Sequence, residues 1–311
     1  MSNMLEKIAQ NSNHQTYLNR MNDYVYHSSK HKIIDIIESY YVKNNNIKIL
    51  DVGCGSGVLI ELIKERLGDN VDITGIDLNQ MTVDEVNQKK KFNVICSDIQ
   101  TLYKNNPNQK YDVIIFSSIL HEVYSYSESN NQQAVEETLN TAYDLLNKDG
   151  KVIIRDGIKY HDSNLIQYEN EVAFKTTPYK TIKDFVKEHP FSEEEDWINC
   201  LNGFVRKDLL KEFFITYTWG EESWSREVQE QVGLYTVEEW EELLQSVGYN
   251  IEMCETHEEE YVKFLSQKIK ITPTIEEILS QNMILMILNK QSKAQEHVAE
   301  KATCSFFVKP S

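Results

Sequence analysis

Three glycines alternate through the stretch LDVGCGSGV, Leu50 to Val58, and Asp51 stands two places ahead of the first. Gly53, Gly55 and Gly57 lie between an apolar run and a stretch that reads as a helix. Glycines there let backbone approach a ligand closely, and a helix start offers free N–H groups. That suits a nucleotide-like molecule. The dinucleotide fingerprint G-x-G-x-x-G, begun at Gly53, requires a small residue where Val58 stands. The phosphate loop G-x-x-x-x-G-K-[ST] is absent. What is present is D-x-G-x-G-x-G, Asp51 to Gly57. Farther along, His121 and Glu122 adjoin within FSSILHEVYSYSES. A histidine near its free pKa can take a proton from a hydroxyl or an ammonium, and the glutamate can orient it or bind a cation.

Such residues act only if elements hold them. HKIIDIIESYYV spaces its isoleucines and tyrosines by three and four, an amphipathic helix. NIKILDVG (46–53), VDITGIDLN (71–79), FNVICSDI (92–99), YDVIIFSSI (111–119) and GKVIIRDG (150–157) read as strands. VLIELIKERLG closes a helix on Gly68, MTVDEVNQKKK takes Thr82 as its N-cap, and a further helix spans roughly 132–147. Strands alternating with helices predict a doubly wound α/β sheet, and near-continuous apolar strands agree because both their faces are buried. The rhythm stops after Gly157. Residues 159–233 are aromatic-rich and read as an inserted helical cap. Alternation resumes with a helix opened by a Thr236–Glu239 capping box and a Tyr235–Trp240 staple. YNIEMCE (249–255) is a sixth strand; for the seventh, NMILMILNK (282–290) and the tail TCSFFVK compete. The expected organisation is a helical lid over 1–45, a Rossmann-like core over 46–158, the cap over 159–233, and a return to the sheet with the tail over 234–311.

ILDVGCGSG resembles the first motif of the class I S-adenosylmethionine-dependent methyltransferases. Asp77, in GIDLN, follows Asp51 by 26 positions, where the family places the carboxylate that binds both ribose hydroxyls. Asp98, in CSDI, ends the third strand, where the family's residue meets the adenine amine. The resemblance implies a mostly parallel seven-stranded sheet with an N-terminal lid and a cap after strand five. It also implies S-adenosylmethionine as cofactor, S-adenosylhomocysteine as product, and methyl transfer by in-line displacement. Cofactor contacts are expected at Asp51, Gly53, Cys54, Gly55, Gly57, Asp77, Leu78, Asp98, Ile99 and Ser117, with Tyr24 from the lid. Cys54 fits a small filler residue better than a nucleophile.

The acceptor should sit beyond the ends of strands four and five. His121 and Glu122 are the expected catalytic pair; Tyr124, Asp156, Trp219 and Arg226 are expected to line the acceptor pocket. No [DNS]-P-P-[YFW] or Pro-Cys follows strand four, which disfavours methylation of nucleobase or glutamine amino groups and of cytosine carbon. Strand four ends in Ser-Ser rather than a metal-binding aspartate, and no metal is expected. The acceptor is therefore expected to be a small molecule methylated on oxygen or nitrogen. A protein or peptide side chain, or a cofactor-binding scaffold without catalysis, remain alternatives.

Composition bounds the rest. A net charge of -17 repels phosphate backbones and disfavours a nucleic-acid partner. Five scattered cysteines, odd in number and without C-x-x-C, suit a reducing compartment. No signal-like segment opens the chain, and no apolar run approaches the roughly 20 residues of a membrane span. A cytoplasmic protein with no membrane partner is expected; nothing in the sequence sets its oligomeric state.

Overall fold

The computed structural model describes residues 30–41, 46–68, 71–90, 92–127, 131–257 and 261–291. The expected lid residues before position 30, Tyr24 among them, and the tail TCSFFVK lie outside these. α1 (Lys30–Tyr41) leads into β1 (Lys48–Val52), α2 (Val58–Leu67), β2 (Asp72–Asp77), α3 (Gln80–Lys90), β3 (Asn93–Cys96) and α4 (Ile99–Asn105). β4 (Tyr111–Ser117), α5 (Leu120–Ser125), α6 (Asn131–Leu145) and β5 (Leu146–Gly157) complete the first part. Then come β6 (Leu165–Gln167), α7 (Tyr168–Glu171), β7 (Ala173–Phe174), α8 (Ile182–Glu188), α9 (Glu194–Leu201), β8 (Phe204–Arg206), α10 (Lys207–Thr218) and α11 (Trp224–Glu227). α12 (Val237–Val247), β9 (Tyr249–His257), α13 (Tyr261–Leu265), β10 (Ile269–Lys270), α14 (Pro273–Leu279) and β11 (Met283–Lys290) end the described chain.

The main sheet has seven strands in the order β3-β2-β1-β4-β5-β11-β9. β1 to β5 pair in parallel, and β11 runs antiparallel to both β5 and β9. This is the class I methyltransferase fold. NMILMILNK supplies the last strand, inserted between β5 and β9.

Alternate residues of the central strands enter opposite layers, as a period of two requires. Leu50, Ile114, Phe116, Val152 and Ile154 pack with α6 and α12. Ile49, Val113, Ile115 and Ile153 pack with α1, α2 and α3 on the other face. The apolar runs were unbroken because both layers draw on every strand.

Local signals behave unevenly. Thr236 and Glu239 form the expected capping box, and the Tyr235 and Trp240 rings lie 4.8 Å apart. Thr82 does not cap α3. That helix starts earlier, and the Asn79 side chain accepts from Met81 and Thr82 N–H at 3.0 and 3.2 Å. Asparagine reaches the free donors from the position before the helix, and the threonine is buried within its first turn.

The cap has its own core of Phe185, Phe213, Phe214, Tyr217 and Trp224. Residues placed with the returning sheet also enter it: Leu265, Ile269, Ile275, Ile278 and Leu279 pack there, and β10 pairs with β7. The cap is thus built from two excursions of the chain, one after β5 and one between β9 and β11. Among the described residues, no helix is long and apolar enough to cross a membrane.

Candidate active site

The glycine loop runs from β1 to α2 along the carboxyl edge of the sheet. Gly53, Gly55 and Gly57 all take positive φ, 69°, 51° and 68°, a region costly for other residues. Space also forbids a side chain at Gly53, whose Cβ would lie 2.4 Å from Ile119. The loop is sewn to β2: Gly53 and Cys54 N–H donate to Ile76 carbonyl at 2.8 and 3.0 Å, and Gly55 N–H donates to Asp77 Oδ2 at 3.0 Å. Asp77 Oδ1 accepts from Asn79 N–H at 2.8 Å.

Two buried polar atoms at this edge lack a hydrogen-bond partner, Asp51 Oδ2 and Ser117 Oγ. They lie near the carboxyl ends of neighbouring strands, Asp51 next to last in β1 and Ser117 last in β4. Burial pushes the Asp51 carboxyl up to about 7, against the opposing pull of Lys30, and Asp77 adds to the rise. Unsatisfied buried groups are uncommon in folded proteins, and water or a bound polar group normally satisfies them. Lys30 opens α1 and is itself buried, a neighbour that sequence reasoning missed.

Other expected contacts sort by where their side chains go. Leu78 is 44 % exposed just past β2, an apolar surface open to a ligand. Asp98 caps α4, its Oδ1 accepting from Thr101 N–H at 2.6 Å. Ile99 is buried in the core and has only its backbone to offer. The Cys54 side chain also turns into the core, where burial raises its thiol pKa far beyond the reactive range. It is filler, not a nucleophile.

Beyond β4 and β5 stands a chain of alternating charges. His121 Nδ1 donates to Asp156 Oδ1 at 2.7 Å, and His121 Nε2 lies 3.5 Å from Glu230 Oε2. Glu230 Oε1 accepts from Arg226 Nε at 3.2 Å and from the Tyr126 hydroxyl at 2.7 Å. Arg226 Nη2 donates to Glu122 Oε1 at 2.9 Å. The core supplies His121, Glu122, Tyr126 and Asp156; the cap supplies Arg226 and Glu230.

Asp156 was expected to line the acceptor pocket. Its carboxylate is instead fully buried and saturated: Oδ2 accepts from Ile119 and Leu120 N–H, and Oδ1 from Gly157 N–H and His121. It fixes the start of α5 and the imidazole. Burial alone would lower the His121 pKa, but Asp156 and Glu230 outweigh it and hold it well above the usual value. Burial would raise Glu230, yet Arg226, His121 and Tyr126 hold it at about 2. Burial lifts Glu122 to about 7 against the pull of Arg226, with Glu230 and Asp77 adding to the rise. Glu227 is pushed well up by burial and by Glu230, and its Oε1 has no hydrogen-bond partner.

Tyr124 is half-buried at the junction of core and cap, its ring 5.6 Å from that of Phe191. Trp219 lies half-buried at the C-terminal end of α10 and is not one of the links in the charge chain. Glu230 and Glu227 were missed from sequence. The available signal was Arg226 four residues before Glu230, the spacing of a helical ion pair.

A sequence model described as a methyltransferase domain matches residues 43–248. No curated protein matches the chain. Among solved structures, one similar fold is the Burkholderia thailandensis 1,6-didemethyltoxoflavin-N1-methyltransferase with bound 1,6-didemethyltoxoflavin and S-adenosylhomocysteine. It is 12 % identical with a TM-score of 0.49, over 89 % of this chain and 85 % of that one. Another is the plantazolicin methyltransferase BpumL with a triazolic desmethylPZN analog and S-adenosylhomocysteine, 17 % identical with a TM-score of 0.47, over 94 % and 99 %. A third is an S-adenosylmethionine-dependent methyltransferase from Clostridium acetobutylicum, 17 % identical with a TM-score of 0.48, over 89 % and 100 %.

Proposed function

This chain belongs to the methyltransferase domain family, and on that premise we propose that it transfers a methyl group from S-adenosylmethionine to an oxygen or nitrogen of a small molecule. The observation that carries the reading is the glycine loop pinned to Asp77, flanked by the unpartnered Asp51 Oδ2 and Ser117 Oγ. The residues present fit the cofactor. Asp77 would take the ribose hydroxyls, since a cis-diol suits two acceptor oxygens. Asp51 and Lys30 offer opposite charges to the amino-acid end, and Leu78 an apolar face to the base. Bound there, the cofactor supplies a methyl group activated by its sulfonium sulfur.

The chain's own work is alignment and proton control. The loop and strand ends fix the donor, and the cap closes over the ends of β4 and β5, where the acceptor is held in line. His121 and Glu122 stand at that acceptor end, joined to the cap through Glu230 and Arg226.

Calorimetry of S-adenosylmethionine binding to the wild type and to Asp77→Ala tests the assignment. The wild type should bind, and the variant should bind at least about 100-fold more weakly, a loss of roughly 2.7 kcal/mol. An unchanged affinity would remove Asp77 from the ribose site.

A further inference from the structure

Along the charge chain side-chain exposure is 0 % at Asp156, 11 % at His121, 2 % at Glu230, 15 % at Arg226 and 23 % at Glu122. The Glu122 end is the most open of the five. It sits on α5, directly after the end of β4, the strand next to β1 and its glycine loop. Arg226 engages its Oε1, which leaves Oε2 for something else. His121 cannot fill the same part: Asp156 holds one ring nitrogen, Glu230 faces the other, and both keep the imidazole protonated.

The cluster is also short of positive charge. Asp156, Glu122, Glu227 and Glu230 bring four carboxyl groups, answered by His121 and Arg226. Glu227, 4 % exposed and with an unpartnered oxygen, sits within the field of Glu230, Arg226, Glu122 and His121. A buried carboxyl group without a partner is costly, and so is a site that keeps acids protonated for want of a cation. An anionic acceptor would meet this cluster with repulsion. A protonated nitrogen would complete it.

We propose that the methyl acceptor is a cationic amine and that Glu122 is the group that meets its nitrogen and takes its proton. This rests on the methyl-transfer reading above. The ammonium gives one proton to the Glu122 carboxylate and becomes the free amine. The nitrogen lone pair then forms the bond to the methyl carbon as the carbon–sulfur bond breaks. Sulfur keeps that electron pair and leaves as a neutral thioether, and the positive charge ends on the methylated nitrogen. Glu122, lifted to about 7, is matched to a proton that must come and go near neutral pH.

The test incubates the full chain with trideuteromethyl S-adenosylmethionine and a deproteinised small-molecule extract of its source cells. Labelled product is followed by mass spectrometry after ion exchange at pH 7. Label should appear in the fraction retained on a cation exchanger, and Glu122→Gln should lower its rate of formation at least tenfold. The acceptor purified from that fraction should bind protein saturated with S-adenosylhomocysteine, at least tenfold more weakly in Glu122→Gln. S-adenosylhomocysteine affinity, measured on the same samples, should differ less than twofold between the two proteins. Label in the neutral or anionic fraction, a wild-type rate in Glu122→Gln, or no labelled product from protein that binds the cofactor would overturn the proposal. Failure to bind the cofactor at all would instead overturn the methyl-transfer reading on which it rests.

Discussion

Asp51 shows at the scale of one residue how a site can work against the fold that holds it. Its carboxyl is 2 % exposed, sits beside the like charge of Asp77 and is lifted to about 7 by burial. An ordinary aspartate titrates near 3.8. Between those values the folded protein binds a proton that the unfolded chain has lost, so ligand-free stability falls as pH rises through this window. Above it the full cost of the buried charge is present, on the order of 4 kcal/mol at about 1.4 kcal/mol per unit. Asp51→Asn is therefore expected to raise the urea midpoint of the ligand-free protein at pH 7.5 while weakening S-adenosylmethionine binding. The gain should shrink toward pH 4, where the wild-type carboxyl is neutral. A variant less stable than wild type at pH 7.5 would show that Asp51 is held by contacts, not by the place it keeps for a ligand. The loop around it was legible in the sequence: D-x-G-x-G-x-G and the downstream Asp77 are local signals, and the backbone places them together. Glu230 and Glu227 were not, because a glutamate at or just past the end of a short helix reads as a solvated acid until another segment buries it.

At the scale of elements, strands and their order were legible because unbroken apolar runs separated by helices admit few arrangements. Helix caps were legible only where one residue could do the work. Thr236 had its glutamate at the right spacing, whereas Thr82 had a competitor, Asn79, better placed to reach the free N–H groups. Contacts that depend on a distant segment were illegible, and the end of β5 is such a case. A Cβ on Gly157 would stand 2.3 Å from the carbonyl oxygen of Val232, where the chain returns from the cap. The nearest atom belongs to the Val232 backbone, which cannot give way as the end of a flexible side chain can. Gly157→Ala should cost at least about 2 kcal/mol in urea unfolding, the scale of forced overpacking. Because Gly157 N–H also donates to Asp156, the shift should reach His121 and lower turnover. An alanine variant with wild-type stability would mean that the strap beside Gly157 yields freely.

The whole molecule is held together at the crossings between core and cap, and two adjacent buried charges on α10 govern three of them. Lys211 Nζ donates to Ile158 carbonyl, where the chain leaves β5, at 2.6 Å, and to Gln281 carbonyl, just before β11, at 2.7 Å. Glu212 accepts from Val232 and Gly233 N–H at 2.9 and 2.8 Å, where the first excursion ends. Neither role shows in the helix-like pattern around these residues, since it depends on two excursions meeting. Burial depresses the Lys211 pKa to about 8 from an ordinary 10.5, against the pull of Glu212. Below about 8 both states carry the proton, and the folded protein bears the cost of a buried ammonium. Between about 8 and 10.5 the unfolded chain keeps a proton that the folded protein has released, so this group makes stability rise with pH. The neutral amine still has two N–H donors for its two carbonyls. Removing it leaves both oxygens without a donor, at about 1 to 3 kcal/mol each. Lys211→Met should therefore lower the urea midpoint at pH 7. The stability difference between wild type and variant should then widen by roughly 3 kcal/mol as pH rises from 8 to 10.5, at about 1.4 kcal/mol per unit. Subtracting the two proteins cancels the other groups that titrate there. A difference that stays flat across this range would mean that Lys211 is already neutral at pH 7 or hydrated in solution, and that the cap is fastened to the core by its apolar contacts alone.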